Sequence, residues 1–238
     1  MSHTLPTFIS ALGWQDPQRA QAFDRWLAAA STAQGLNPAT VRLASADASF
    51  RRYFRVDGVA GKDKPASFII MDAPPDKEDC KPFVKVAALM AQAGLNAPQV
   101  LAWDEGQGFM LLSDLGQRTL MQCLDEGAGA ANLPRFKQAL DVLLPWQQAS
   151  RAGVLPAYDE AVLRRELQLF PDWYLARHRG VELNAAQQGV LQGAFDLIVQ
   201  RNLAAPQVYV HRDFMPRNLM VSDDDQGPLG VLDFQDAL

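Results

Sequence analysis

Residues 211–218 read HRDFMPRN, and the interpretation of the whole chain depends on these positions. The segment follows an apolar run at 208–210, and another apolar run begins directly after it. Four residues separate Asp213 from Asn218. A loop of this length brings a carboxylate and an amide together where a strand ends. Further along, the run LDF places Asp233 after a second apolar strand. The sequence therefore predicts a small cluster of oxygen ligands built from two strand ends.

Such a cluster suits phosphoryl transfer, which depends mainly on positioning and on neutralising charge. The spacing H-R-D-x-x-x-x-N is that of a kinase catalytic loop. In this interpretation Asp213 accepts the proton of the acceptor hydroxyl, while Asn218 and Asp233 hold Mg²⁺ on the phosphates of ATP. A lone aspartate after a strand is usually a turn cap, but the three residues together favour the catalytic interpretation.

The neighbours of these residues have other expected roles. His211 is expected to be buried and structural. For Arg212 and Arg217 two roles stay open, since each could pair either with phosphate or with nearby carboxylates.

Composition limits the class of protein. The chain has 238 residues, 48% of them hydrophobic, and a formal net charge of −5. This charge argues against nucleic acid and anionic membranes as partners, because both need clustered Lys and Arg. Cys80 and Cys123 show no metal-ligand spacing and are expected to be free thiols, although the sequence does not exclude a disulfide. The N-terminal segment has no signal-peptide pattern. We expect a cytoplasmic monomer.

Hydrophobic periodicity and turn residues predict an α+β fold of two lobes. Helices are predicted at 16–35 and 82–93, and strands at 41–56, 67–71, 100–103 and 109–112. From 119 to about 200 the pattern is helical, and strands return at 208–210, 219–221 and 229–232. The predicted division is a small β-rich N-lobe (1–112), a hinge (113–118) and a mostly helical C-lobe (119–238).

These residues, in this order, resemble the aminoglycoside phosphotransferase and choline kinase superfamily, whose members are relatives of the protein kinases. The segments DASFRRYFRV (47–56), IIMDAPP (69–75) and LDFQDA (232–237) are most similar to the bacterial anomeric kinases of N-acetylmuramate and N-acetylglucosamine. The resemblance implies a protein-kinase-like fold, ATP and Mg²⁺ as cofactors, and phosphorylation of the sugar C1 hydroxyl in cell-wall recycling.

The resemblance also implies where ATP binds. The loop at 46–53 would cover the phosphates, with Ser49, Arg51 and Arg52 as donors, although it contains no glycine. A plain hairpin turn with exposed arginines is the alternative. Ser113 and Leu115 of the hinge would meet adenine through backbone groups.

The sequence departs from the kinase pattern at the phosphate-binding lysine. The strand at 68–72 has no lysine, whereas the following helix carries Lys85. One hypothesis is a reversed ion pair between Asp72 and Lys85, with Lys85 charging the ATP site. In the alternative, Lys85 is solvated and Arg51, Arg52 or Lys81 neutralises the phosphates. The resemblance further implies helices beyond residue 238. Whether this chain is a truncated form with an incomplete C-lobe therefore stays an open question.

The acceptor site is the least defined part. Glu166 and Asp172 lie near Trp173 and Tyr174, and carboxylates beside aromatic rings suit a sugar. The alternative is a surface helix in which Asp172 is an N-cap after a break at Pro171. Two residues that follow the metal ligand, Gln235 and Asp236, are also acceptor candidates.

Two alternative functions remain. One is a kinase for another small hydroxylated acceptor, such as an aminoglycoside, choline or homoserine. The other is a non-catalytic ATP-binding pseudokinase, suggested by the missing strand lysine.

Overall fold

The first compact unit of the protein is organised by an antiparallel sheet of five strands in the order β1-β2-β3-β5-β4. The computed structural model describes residues 12–46, 50–59, 67–127, 129–223 and 225–238. The strands are β1 (Leu36–Ala46), β2 (Arg52–Gly58), β3 (Ser67–Asp72), β4 (Val100–Asp104) and β5 (Phe109–Ser113). The predicted run 41–56 thus belongs to two paired strands rather than one.

Helix α1 (Pro17–Gln34) packs its apolar stripe against one face of this sheet. Asp16 caps its first turn by accepting from the backbone N–H of Gln18, and Gly35 ends it in the left-handed conformation. Phe23 is fully buried, with ring centroids 5.3 Å from Phe54 and 5.6 Å from Phe109. Helix α1 was predicted within one residue of its observed bounds.

Strand alternation divides the sheet into two faces. Phe54, Val56, Phe68, Ile70, Phe109 and Leu111 belong to the core against α1. Alternate positions such as Arg55, Ile69 and Met110 therefore lie on the opposite face. Arg52 and Asp72 stand opposite one another in the β2–β3 ladder and share the α1 face with Phe54 and Ile70.

Three short strands form a second sheet within the same unit. They are β6 (Arg118–Thr119), β7 (Leu219–Val221) and β8 (Gly230–Val231), paired in that order. Helix α2 (Lys81–Gln92) belongs to this unit and buries Phe83 against Phe234, with ring centroids 4.9 Å apart. The unit comprises Met1–Pro145 and Asp213–Asp236, so it contains both the hinge segment 113–118 and the predicted catalytic residues. This outline differs from the predicted lobe boundaries, which remain a prediction.

The second unit, Trp146–Arg212 with Ala237–Leu238, is mostly helical. Its elements are the end of α3 (Gly129–Gln148), α4 (Glu160–Leu169), a π-helix (Phe170–His178) and α5 (Ala185–Leu203). Trp146 and Tyr209 are buried together, with ring centroids 4.8 Å apart. In the described parts of the chain, no helix is both long enough and apolar enough to cross a lipid bilayer.

Two sequence-based predictions in this unit are wrong. Residues 208–210 form no strand, because Val210 instead exchanges two backbone hydrogen bonds with Leu238, at 2.8 and 3.0 Å. Pro171 does not break the helix, and the π-helix continues directly from α4. The proline is the second residue of the π-helix, and its missing N–H removes one backbone hydrogen bond to the preceding turn without ending the helix. Asp172 is therefore inside a helix and is not an N-cap.

Candidate active site

Asp213, Asn218 and Asp233 are brought together by the turn before β7 and the turn after β8. A 3-10 turn (Pro216–Asn218) leads into β7, and the Asn218 amide donates to the backbone carbonyl of Asp213 at 2.9 Å. The same amide group donates to Oδ2 of Asp233 at 3.1 Å. All three side chains are half-buried. The Asn218 amide therefore links the Asp213 backbone to the Asp233 carboxylate, and the role of each residue as base or metal ligand stays a prediction.

Asp233 is held in an uncommon backbone conformation. Its φ is 62°, in the left-handed region, which costs a non-glycine residue about 1–3 kcal/mol. The next residue, Phe234, is fully buried against Phe83 and anchors the turn. Gln235 donates to Oδ1 of Asp233 at 2.9 Å, so amide donors engage both carboxylate oxygens. Backbone strain of this kind persists only where the surrounding packing fixes the turn. Here the packing of Phe234 fixes the turn, and the turn sets the direction of the Asp233 carboxylate.

The segment 113–118, predicted to be a hinge, is fixed by Asp114, which sequence reasoning treated only as part of a connector. Arg55 from the face opposite α1 donates to both oxygens of Asp114, at 2.5 and 2.9 Å. Ser67 and the backbone N–H of Gly116 also donate to this carboxylate, at 2.7 and 3.0 Å. Burial alone works to raise the pKa of Asp114, but these hydrogen bonds hold that pKa below its ordinary value. The same bonds define the path of the backbone through the hinge.

The arginines predicted to bind phosphate are both paired with carboxylates. Arg51 is buried and contacts Glu78 at 3.0 Å. Arg52 donates to Oδ2 of Asp72 at 2.6 and 3.0 Å. On the other oxygen of Asp72, Arg19 donates at 2.5 and 2.9 Å.

The predicted Asp72–Lys85 ion pair is therefore wrong. Asp72 lies on the α1 face of the sheet, where Arg19 and Arg52 pair with it. Lys85 lies on α2, and no residue of α2 belongs to the core on that face. Ser49, predicted to contact phosphate, lies outside the described residues.

In the hinge, Ser113 and Leu115 are both half-buried. The Ser113 backbone donates to the Gln99 carbonyl at 3.0 Å, and its hydroxyl accepts from the Gln99 N–H at 2.9 Å. Leu115 packs over Gly230 so closely that a Cβ there would lie 2.9 Å from it. This contact ties the hinge to the strand that precedes Asp233.

The acceptor candidates of the second unit form separate groups. The Glu166 carboxylate accepts a hydrogen bond from the Tyr158 hydroxyl, and Arg212 donates to it at 2.7 and 3.2 Å. Burial and the neighbouring Glu166 raise the pKa of Tyr158 to about 12. Arg212 therefore pairs with a carboxylate, one of its two expected outcomes. Asp172 is exposed and accepts from Gln168 at 2.8 Å.

Two smaller predictions are confirmed. His211 is buried, as predicted. Cys80 and Cys123 are free thiols, also as predicted, and burial raises the pKa of Cys80. Asp236 is exposed, and its role as an acceptor ligand stays a prediction.

Comparisons with known proteins agree with this architecture. The phosphotransferase enzyme family matches residues 40–238. An N-acetylmuramate/N-acetylglucosamine kinase of Pseudomonas aeruginosa is 56% identical over 201 residues, covering 84% of this chain and 56% of that protein. A protein of the same name from Pseudomonas putida is 47% identical over 195 residues, covering 82% of this chain and 54% of that protein. The chain thus spans about half the length of these curated relatives.

The fold is shared with solved structures at low sequence identity. The ADP-bound aminoglycoside phosphotransferase APH(2'')-Ib superposes with a TM-score of 0.54 at 14% identity, covering 93% of this chain and 71% of that protein. The predicted protein-kinase-like α+β fold is thereby confirmed. Because the family profile covers most of its residues, this chain belongs to the phosphotransferase enzyme family.

Proposed function

We propose that this chain carries the catalytic residues of an ATP-dependent kinase that phosphorylates the anomeric hydroxyl of N-acetylmuramate or N-acetylglucosamine. The observation that supports this most directly is the contact of Asn218 with both Asp233 and the Asp213 backbone. The acceptor follows from the relatives, which share up to 56% identity and are named for these two sugars. We expect the enzyme to act as a cytoplasmic monomer.

Asp213 is the proposed general base. Its carboxylate takes the proton of the acceptor C1 hydroxyl as the sugar oxygen bonds to the γ-phosphorus of ATP. The bond from the γ-phosphorus to the bridging oxygen breaks, and ADP leaves with that electron pair. The Asn218 amide holds the backbone carbonyl of Asp213, which limits the positions that the carboxylate can adopt.

The residues present fit a Mg²⁺ site. Asn218 and Asp233 offer an amide oxygen and carboxylate oxygens on adjoining side chains, which suit a cation that also keeps waters and phosphate ligands. When bound, Mg²⁺ would neutralise charge on the β- and γ-phosphates. The amide groups of Asn218 and Gln235 donate to the two Asp233 oxygens and hold the carboxylate in place.

The nucleotide is proposed to meet the hinge through the backbone near Ser113 and Leu115. Four hydrogen bonds onto Asp114 fix this backbone. For the phosphates, Lys85, which is exposed on α2, is the proposed cation. Ser49 and Arg51 remain proposed ligands from the turn before β2. Arg52 is the weakest of the proposed ligands, because it lies on the α1 face.

For the acceptor we propose Glu166, Asp172, Gln235 and Asp236. Glu166 is the strongest candidate, because Tyr158 and Arg212 already hold its carboxylate in one orientation. A fixed carboxylate accepts a sugar hydroxyl at a smaller cost in side-chain entropy.

The test is to incubate the chain with Mg²⁺, γ-labelled ATP and separate acceptors: N-acetylmuramate, N-acetylglucosamine, choline and kanamycin. The Pseudomonas aeruginosa relative serves as the positive control. Label on C1 of the amino sugars supports the proposal. Label on choline or kanamycin instead would overturn the acceptor assignment.

The role of Asp213 needs its own variant. We expect Asp213→Asn to lower kcat about 10²–10⁴-fold while ATP binding persists, because the base is lost without changing the shape of the side chain. Asp141→Asn, on the exposed surface of α3, is the matched control. Turnover of Asp213→Asn equal to that of the control would rule out Asp213 as the base.

A further inference from the structure

A cavity of about 920 Å³ opens beside α1 in the first unit. Its lining includes Trp14, Arg19, Arg25, Phe50, Arg52 and Lys77. Arg19 and Arg25 project from α1, and Arg52 reaches the cavity from the α1 face of the sheet. Arg51 and Arg52, both proposed ATP ligands, also line this cavity, whereas Arg55 and its contact with Asp114 lie on the opposite face of the sheet.

Two of the arginines that line the cavity share one buried carboxylate. Asp72 is buried, with 1% of its side chain exposed, and it accepts from both Arg19 and Arg52. The two guanidinium groups are themselves only 15% and 27% exposed. The positive charges of Arg19 and Arg52 are therefore balanced only in part by the single negative charge of Asp72, and all three groups are partly shielded from solvent. An excess charge of this kind is costly unless an anion compensates it.

Unused donors accompany the excess charge. Both arginines use Nε and Nη2 for Asp72. Among the described residues, the Nη1 groups of Arg19 and Arg52 donate no hydrogen bond. A guanidinium offers its N–H donors in a planar fork that matches carboxylate and phosphate oxygens. The pair thus presents both charge and directed donors to a second anion.

The rest of the lining carries charges of both signs, with Arg25 and Lys77 positive and Asp16 and Asp76 negative. Arg25 lies on the same side of α1 as Arg19 and Ala22, is exposed, and has no ion pair with a described residue. The first turn of α1 also borders the cavity, and its partial positive charge is offset by the Asp16 carboxylate, which accepts from the Gln18 N–H. Lys77, which contacts Asp76 at 3.5 Å, stands at the rim beside the exposed ring of Phe50.

We propose that this cavity is a binding site for phosphate monoesters. The phosphate would bind between Arg19, Arg52 and Arg25, and the organic group would lie against Phe50. A doubly charged phosphate matches the shared excess charge and Arg25 together, whereas a carboxylate compensates only one charge. Of its three arginines, the site shares only Arg52 with the proposed ATP ligands, and Arg19 and Arg25 have no role in the proposed kinase reaction.

The probe is phenyl phosphate, titrated by calorimetry at low ionic strength and without nucleotide, with benzoate as the singly charged comparison. We expect saturable binding of phenyl phosphate and weaker binding of benzoate. Arg25→Glu should weaken phenyl phosphate binding on the order of tenfold, by reversing a charge beside the dianion. Arg52→Lys keeps the charge but loses the planar fork, and it should weaken binding as well.

The matched control is Arg165→Glu, which makes the same charge change on an exposed helix position of the second unit. Thermal unfolding of each variant shows whether it is folded. Binding that Arg25→Glu and Arg165→Glu reduce equally would overturn the proposal, as would the absence of saturable binding to the wild type. Kinase assays of Arg25→Glu are expected to show unchanged kcat and KM for ATP, so the two proposals fail independently.

Discussion

Replacing Arg55 by Met would remove the cation from the hinge and leave the Asp114 carboxylate buried without it. The side chains of the pair are 13% and 6% exposed. Losing one partner of such a buried pair typically costs about 3–5 kcal/mol, because the remaining charge stays desolvated. We expect Arg55→Met to lower the free energy of unfolding by this amount.

Urea unfolding at pH 7 measures the effect. A suitable control exists on the adjoining strand, where Arg42 contacts Asp57 at 2.9 Å with side chains 48% and 40% exposed. Arg42→Met is expected to cost less than about 1 kcal/mol, as for other exposed pairs. The double variant Arg55→Met/Asp114→Leu should be more stable than Arg55→Met alone, because no unpaired charge remains.

The pH dependence of the free energy of unfolding gives a further test of the pair. The pKa of Asp114 is lowered in the folded protein, below an ordinary value of about 3.9. Its ionised form therefore stabilises the fold above the ordinary pKa, and this contribution is lost as pH falls through the folded pKa. The difference in stability between wild type and Arg55→Met should narrow as pH falls from neutrality into this acid range. A difference that is independent of pH, or no larger than that of Arg42→Met, would refute the reasoning.

Three other predictions follow from the geometry. In thermal unfolding, Gly108→Ala should destabilise the fold by about 2 kcal/mol more than Gly94→Ala. Both glycines have a positive φ, but only at Gly108 would an added Cβ lie 1.9 Å from a backbone oxygen, that of Ala73. Tyr158→Phe should abolish a phenol ionisation near pH 12 in an ultraviolet titration, and an unchanged titration would contradict that assignment. Asp233→Asn should raise the Mg²⁺ concentration needed for half-maximal phosphoryl transfer by weakening the proposed metal site, and an unchanged requirement would exclude Asp233 as a ligand.

The oxygen cluster could be predicted from sequence because its spacing is local. Asp213 and Asn218 are five positions apart in one loop, and β8 ends two positions before Asp233. Helix α1 and the β4–β5 pair were likewise predicted, since their patterns of apolar residues and turns are self-contained.

The pairing of Asp72 was missed because its partners are distant in the chain. Arg19 is 53 positions away, and Arg52 is 20. A signal was nevertheless present, since strand alternation places Asp72 on the face of Phe68 and Ile70. That face is covered by α1, the helix that carries Arg19.

The role of Asp114 had a weaker signal. Asp114 accepts from the backbone N–H of Gly116, two residues on, as aspartate often does in turns. The sequence Asp-Leu-Gly thus indicated a structured turn. It gave no indication of Arg55, which is 59 positions earlier and becomes a neighbour only when the sheet forms.

The docking of α1 on the sheet has a consequence for synthesis on the ribosome. Helix α1 leaves the ribosome before the strands of the sheet do. The sheet face that covers Phe23 and Leu27 is complete only once β5, which ends at Ser113, has been synthesised. During elongation across this interval the apolar side of the helix has no partner, and nascent chains are prone to association while such a surface is exposed. Arrested chains that end before β5 should therefore bind chaperones through α1, whereas chains extending well past Ser113 should release them.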